Sequence, residues 1–224
     1  MKVLYDHQIF SMQEYGGISR YFATLNDQLN NFSDTKSSIS ILHSKNHYLK
    51  EPNKFWHGML GNTFLNKQSR NYKWNKWFSR YTIRQNKFDI LHPTYYHPYF
   101  LKVLKKPFVI TVHDMIHELY PEFFDKNDIF TAYKRIVIPR ADHIIAVSNS
   151  TKNDLQGLFN IPDEKITVIH HGFISPIIDT SASTLPIVLN EKYILFVGGR
   201  SAYKNFNRFI LAIAPLMVNS NINL

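Results

Sequence analysis

The sequence of 224 residues contains no cysteine. That excludes disulfides, thiol nucleophiles and thiolate metal sites, and it fits a reducing compartment. No run approaches the roughly 18 apolar residues that a membrane span needs. The apolar run at residues 3–5 is cut off by Asp6 and His7, which is too short for a secretory leader. The expectation is a cytoplasmic protein, either free or resting on the inner face of the cell membrane. Acidic residues are few: 17 Asp and Glu stand against 26 Lys and Arg, for a formal charge of +9. Between Lys45 and Lys87 the only acid is Glu51. Such an excess points to an anionic partner: a phosphorylated substrate, an acidic membrane surface or nucleic acid. Nucleic acid is not expected, because no helix-turn-helix, RNA-recognition or finger signature accompanies the charge. Asp-x-Asp, H-E-x-x-H, G-x-S-x-G and the phosphate-loop motif are all absent. His170 and His171 are adjacent on or beside a strand, so they point to opposite sides and make a poor metal pair. No metal and no cofactor are expected.

What the sequence does hold is a regular alternation of short apolar segments with helical patterns. Residues 3–5, 38–42, 89–92, 108–113, 143–147 and 166–169 read as strands, most of them apolar throughout, as when both faces of a sheet are covered. Residues 18–29, 67–85, 126–140 and 149–159 read as helices, the last capped by Ser148. Residues 44–66 read as a long excursion with some helix. This predicts an α/β, doubly wound, Rossmann-like parallel sheet over residues 1–173. Residues 174–191, with Pro176, Pro186 and a Ser/Thr cluster, read as a linker. Residues 192–224 begin a second unit: a strand at 193–197, a glycine turn and a helix from about residue 207 to 218.

Four constellations carry candidate chemistry. Gly16 and Gly17 stand at a strand-to-helix turn, where a ligand can approach the backbone and face the free N–H groups of the first helical turn. His113 and Asp114 follow the clearest strand, at the end of the sheet where α/β folds bind ligands, and there they can orient hydroxyls or move a proton. His92 also ends a strand, whereas His117 and Glu118 read as plain surface residues. Gly198 and Gly199 carry Arg200 and Lys204, a planar fork and a point charge suited to a diphosphate. The helix at 67–85 bears a stripe of Trp74, Trp77, Phe78 and Tyr81, with Lys73, Lys76, Arg80 and Arg84 on other faces. Two readings stay open for that stripe: packing onto the domain, or contact with an anionic membrane.

Taken in order, Tyr15-Gly16-Gly17-Ile18-Ser19-Arg20-Tyr21, Thr111-Val112-His113-Asp114, residues 146–155, Val168-Ile169-His170-His171-Gly172 and residues 196–206 resemble the motifs of GT4-type retaining glycosyltransferases. That family has the GT-B fold, two Rossmann-like domains facing across a cleft. The resemblance implies transfer of a sugar from a nucleotide-diphosphate sugar to a glycan or lipid-linked acceptor, without a bound metal, in cell-surface polysaccharide or lipopolysaccharide synthesis. It implies that Gly16 and Gly17 approach the donor phosphates or the acceptor, that His113 lies near the transferred sugar, and that Arg200 and Lys204 neutralise the leaving diphosphate. Asp114, Trp74 and Trp77 are then candidates for acceptor or membrane contact. The family's second domain continues beyond the last helix seen here and holds the donor with paired glutamates. The expectation is therefore a chain inactive alone, or an acceptor- or membrane-binding subunit that needs a partner chain. Phe206, Phe209, Ile210, Ile213 and Met217 would form an apolar stripe in want of a cover.

Overall fold

The computed structural model of the chain describes residues 1–49, 65–126, 128–172, 193–200 and 202–220. The long excursion falls largely, and the linker wholly, outside these residues. The chain divides into two compact units, Met1–His171 and Gly172–Leu224.

The first unit is an all-parallel α/β domain. Its strands are β1 (Lys2–Tyr5), β2 (Lys36–Ile39), β3 (Ile90–His92), β4 (Val109–Val112), β5 (His143–Ala146) and β6 (Ile166–Val168). β1 pairs with β2 on one side and β3 on the other, and β5 pairs with β4 and β6. A parallel bridge between Leu91 and Phe108 joins the two ladders, so the order across the unit is β2-β1-β3-β4-β5-β6. The chain runs outward from β1 to β2, then returns to the far side of β1. The carboxyl ends of β1 and β3 therefore flank the topological switch, where ligands bind in open sheets of this kind.

The helices are α1 (Gln8–Met12), α2 (Gly17–Leu29), α3 (Gln68–Gln85), α4 (Ile116–Leu119), α5 (Ile129–Val137) and α6 (Asn149–Phe159). Their ends follow from local chemistry. Asp128 accepts hydrogen bonds from the amides of Phe130 and Thr131, and Ser148 accepts one from Thr151. Asn86 and Asn160 close α3 and α6 in the left-handed conformation that asparagine tolerates. Two apolar clusters form the core. One gathers Leu91, Ile110, Val112, Ile138, Ile144 and Leu155 around β3–β6; the other gathers Val3, Tyr5, Ile9, Phe10 and Phe22 around β1.

Several expectations are corrected here. The second strand lies two to three residues earlier than residues 38–42. Its ladder ends where β1 ends, with the Ser40 amide donating to the Tyr5 carbonyl at 2.8 Å, and Ile41 and Leu42 turn into the core as loop. The expected helix over residues 126–140 starts at the Asp128 cap and tightens to a 3₁₀ turn at Ile138–Arg140, where Pro139 removes a donor. Two short helices, α1 and α4, were too brief to show a period.

Of the two readings left open for α3, packing of the whole stripe is not what the structure shows: Trp74, Trp77 and Tyr81 are 41%, 59% and 52% exposed, and Phe78 is half-buried. The buried face is Asn71, Asn75, Ser79 and Ile83. Asn75 is its anchor. The Asn75 Oδ1 accepts from the amides of Leu42 and His43 at 2.9 and 3.1 Å, and its Nδ2 donates to the His43 carbonyl at 2.8 Å and the Ser11 hydroxyl at 2.9 Å. A buried loop must satisfy its amides somehow, and here a helix supplies the partners.

In the second unit, residues 194–197 form no strand, contrary to expectation, and α7 (Phe206–Ser220) follows a 3₁₀ turn at Ala202–Lys204. The Phe196 ring meets Phe206 at 4.8 Å and Phe209 at 5.4 Å, so part of the apolar stripe is covered by its own chain.

Candidate functional site

At the carboxyl end of β4, His113 sits under the second turn of α2. Its imidazole meets the edge of Tyr21 at 5.4 Å and Phe22 at 6.2 Å, and lies nearly parallel to His171 at 5.5 Å. Tyr21 also meets His171 at 5.0 Å. Burial, then the neighbouring His171, lowers the His113 pKa to about 4, so the ring is neutral at pH 7. Its Nε2 is buried and has no hydrogen-bond partner among the described residues.

Beneath this ring lies a second layer. The Thr111 hydroxyl joins His92 Nε2 at 2.9 Å and the Tyr21 hydroxyl at 3.3 Å. His92 is thus a buried, satisfied core residue, with its pKa lowered to about 3 by burial and by His113.

α2 begins at Gly17, with Gly16 as its cap residue and no side chain capping it. The sequence explains the pair of glycines unequally. A Cβ on Gly16 would stand 2.1 Å from the Gln13 Oε1, so the loop closes too tightly there for a side chain unless Gln13 moves. A Cβ on Gly17 would meet nothing within 4 Å, so open space lies beside the first turn of the helix. The positive end of α2 and the His113 ring therefore share one edge of the domain, linked by Tyr21.

The turn after His113 is held from below. Lys134 is buried and its Nζ donates to the Asp114 carbonyl at 2.9 Å and to Glu118 Oε2 at 3.1 Å. The Glu118 side chain is fully buried, which corrects its reading as a surface residue; His117 is held by Asp128 at 2.7 Å. The Asp114 side chain is half exposed and accepts from the Ile116 amide at 3.2 Å. Opposite, at the switch between β1 and β3, Asp6 is wholly buried. It accepts from the Thr94 amide at 2.8 Å, the Thr94 hydroxyl at 2.7 Å, Gln8 Nε2 at 2.7 Å and the Tyr99 hydroxyl at 3.1 Å.

In the second unit, Gly198 has φ +149°, which favours glycine. Arg200 and Lys204 are exposed, and each lies over an aromatic ring of its own segment, Phe206 at 4.8 Å and Tyr203 at 5.1 Å.

The structure therefore brings Gly16, Gly17 and His113 together, with Asp114 at the same strand end. Trp74 and Trp77 stand apart on α3. Tyr21, Thr111 and His171 were not singled out from the sequence as site residues. For Tyr21 the signal was its place one turn into the glycine-started helix. Asp6 and Lys134 gave none, because buried partners distant in sequence define them. Among the described residues no group of three or more His, Asp or Glu is placed to hold a metal ion, and no helix is long and apolar enough to cross a membrane.

A family profile described as Glycosyltransferase Family 4 matches residues 15–174. The chain is 29% identical over 101 residues to an O-antigen chain mannosyltransferase of Salmonella typhimurium, across 45% of this chain and 27% of that protein. It is 23% identical over 154 residues to an uncharacterized glycosyltransferase of Methanocaldococcus jannaschii, across 62% of this chain and 40% of that protein. The similarity thus spans less than half the length of either curated relative.

Proposed function

The chain belongs to glycosyltransferase family 4, and from that premise we propose that it serves transfer of a sugar from a nucleotide-diphosphate sugar to a glycan or lipid-linked acceptor in cell-surface polysaccharide synthesis. The observation that carries the reading is the neutral His113, whose buried Nε2 has no partner among the described residues, beside the uncapped start of α2. The similarity to an O-antigen mannosyltransferase favours a surface glycan as the acceptor class.

In this reaction the bond between the anomeric carbon and the diphosphate oxygen breaks, and the acceptor hydroxyl oxygen forms the new bond. The hydroxyl proton leaves with the diphosphate or to solvent. Negative charge grows on the leaving diphosphate, so fixed positive ends aimed at it lower the barrier. The N-terminus of α2 is one such group; within the second unit, Arg200 with Lys204 is the pair proposed to bind a donor diphosphate. His113 stays uncharged at pH 7 and hydrogen-bonds a hydroxyl of the transferred sugar without competing for the diphosphate. Tyr21 and His171 hold its ring in place, and Asp114 meets the acceptor.

The test is a sugar-transfer assay with radiolabelled nucleotide-diphosphate sugars, mannose first, and lipid-linked glycan acceptors. Transfer is the outcome that supports the reading. His113→Ala should lower kcat/KM by about 100-fold, the loss of one buried hydrogen bond that strengthens in the transition state, when assayed well below the variant's own melting temperature. A variant as fast as the parent would remove His113 from the site. A chain that binds acceptor but transfers from no donor would instead be an acceptor-binding subunit.

A further inference from the structure

We propose that the solvent face of α3 is a docking surface for the anionic phospholipid surface of a membrane. The face is built from one helical row. Lys73, Trp77, Tyr81 and Arg84 recur at intervals of three and four residues, so they lie along a single stripe, with Trp74 and Arg80 flanking it. The cations and aromatics that the sequence places on separate faces therefore interleave on one. Lys73, Trp74, Trp77, Tyr81 and Arg84 are all exposed, as is Lys87 just past the helix.

The three rings adjoin one another. Trp74 meets Trp77 edge-on at 6.0 Å, and Trp77 stacks on Tyr81 at 6.2 Å with 9° between the planes. Exposing three large rings side by side costs hydration free energy that an ordinary surface avoids. The fold cannot turn these rings inward, because the opposite face is fixed by Asn75 and its four hydrogen bonds to the loop at 42–43 and to Ser11.

The charge selects the occupant. The 18 residues of α3 hold five Lys and Arg and no Asp or Glu. An acidic peptide or a neutral glycan would satisfy the cations or the rings, but not both. A bilayer surface takes both together: phosphate headgroups meet Lys73, Arg80 and Arg84, while Trp and Tyr settle at headgroup depth with their apolar parts toward the acyl chains. A helix of this length lies flat over about 27 Å of surface. Docking of this kind needs no donor and no transfer, so it stands or falls separately from the proposed reaction.

The experiment is co-sedimentation of the full chain with phosphatidylcholine vesicles, with and without phosphatidylglycerol, at low and high salt. Binding is expected only with phosphatidylglycerol and should weaken with salt. Changing Lys73→Gln, Arg80→Gln and Arg84→Gln together should weaken it by about 100-fold. Trp74→Ala with Trp77→Ala should weaken it by about 10-fold. Thermal melts close to that of the parent would show both variants folded. No binding to anionic vesicles, or binding that neither variant changes, would overturn the proposal. So would tighter binding to a single-stranded oligonucleotide than to the vesicles, which would assign the face to nucleic acid.

Discussion

Lowering the pH from 7 to 5 is expected to strip about 5 kcal/mol of folding stability through His7, His92 and His113. All three rings are buried and neutral. Burial leads the causes in each case, taking His7 and His92 to about 3 and His113 to about 4 from an ordinary value of 6.5. A base whose folded pKa lies below its unfolded one stabilises the fold fully above the unfolded value. That stability is lost as pH falls toward the folded value, because only the unfolded chain takes up the proton. The window therefore runs from about pH 6.5 down to 4 for His113 and down to 3 for His7 and His92, and near pH 5 the slope approaches about 4 kcal/mol per pH unit for three groups. A domain with a net stability of about 5–15 kcal/mol would be close to unfolding. Asp6 acts in the opposite sense: burial raises its carboxyl, so acid relieves part of its charge and offsets a share of the loss. Asp128, lowered despite the opposing effect of partial burial by its bonds to His117 and Thr131 and to the amides of Phe130 and Thr131, loses its contribution only below the carboxylate range. Urea unfolding at a series of pH values measures the slope. His92→Gln, whose amide can still reach Thr111, should remove about a third of it. A stability that is flat between pH 7 and 5 would show that these rings are not buried as described.

Asp6→Ala is expected to lower the melting temperature by about 10 °C, from a loss of about 4 kcal/mol. The carboxylate is the joint of the switch region. It holds the Thr94 amide just beyond β3, the Gln8 side chain of α1 and the Tyr99 hydroxyl, whose oxygen also lies within hydrogen-bond distance of the Ser79 hydroxyl of α3, at 2.8 Å. Removing it leaves the Thr94 amide buried without a partner and opens a small cavity among three elements. Asp6→Asn keeps the volume but turns a donor toward Gln8 or Tyr99, so it should fall between the parent and the alanine variant. Differential scanning calorimetry ranks the three. An alanine variant within 2 °C of the parent, well below the shift expected for a domain of this size, would mean that water replaces the carboxylate at no cost.

Much of the first unit could be read directly. The apolar strand before His113, the Ser148 cap and the glycines before residue 18 are local signals, and each element formed near where its signal stood. The glycine turn and the strand end carrying His113 fall on one edge because parallel βα units place every strand's carboxyl end on the same side. The buried face of α3 was not legible because periodicity counts apolar residues and knows nothing of partners. A row of Asn71, Asn75 and Ser79 looks like a wet face until the loop amides of residues 42 and 43 are seen to need it. Glu118 was misread for the same reason, since its counter-ion Lys134 comes from α5.

By itself the sequence determined the α/β class, the parallel order of its units and the residue types available at the sheet edge, because hydrophobic pattern, caps and glycines act within a few residues. Only the tertiary structure decided that His171 stacks on His113, that Asp6 ties β1 to residues 94 and 99, and that three aromatic rings of α3 face solvent. Each of those depends on a contact between distant segments, and such contacts are chosen by the packing of the whole domain.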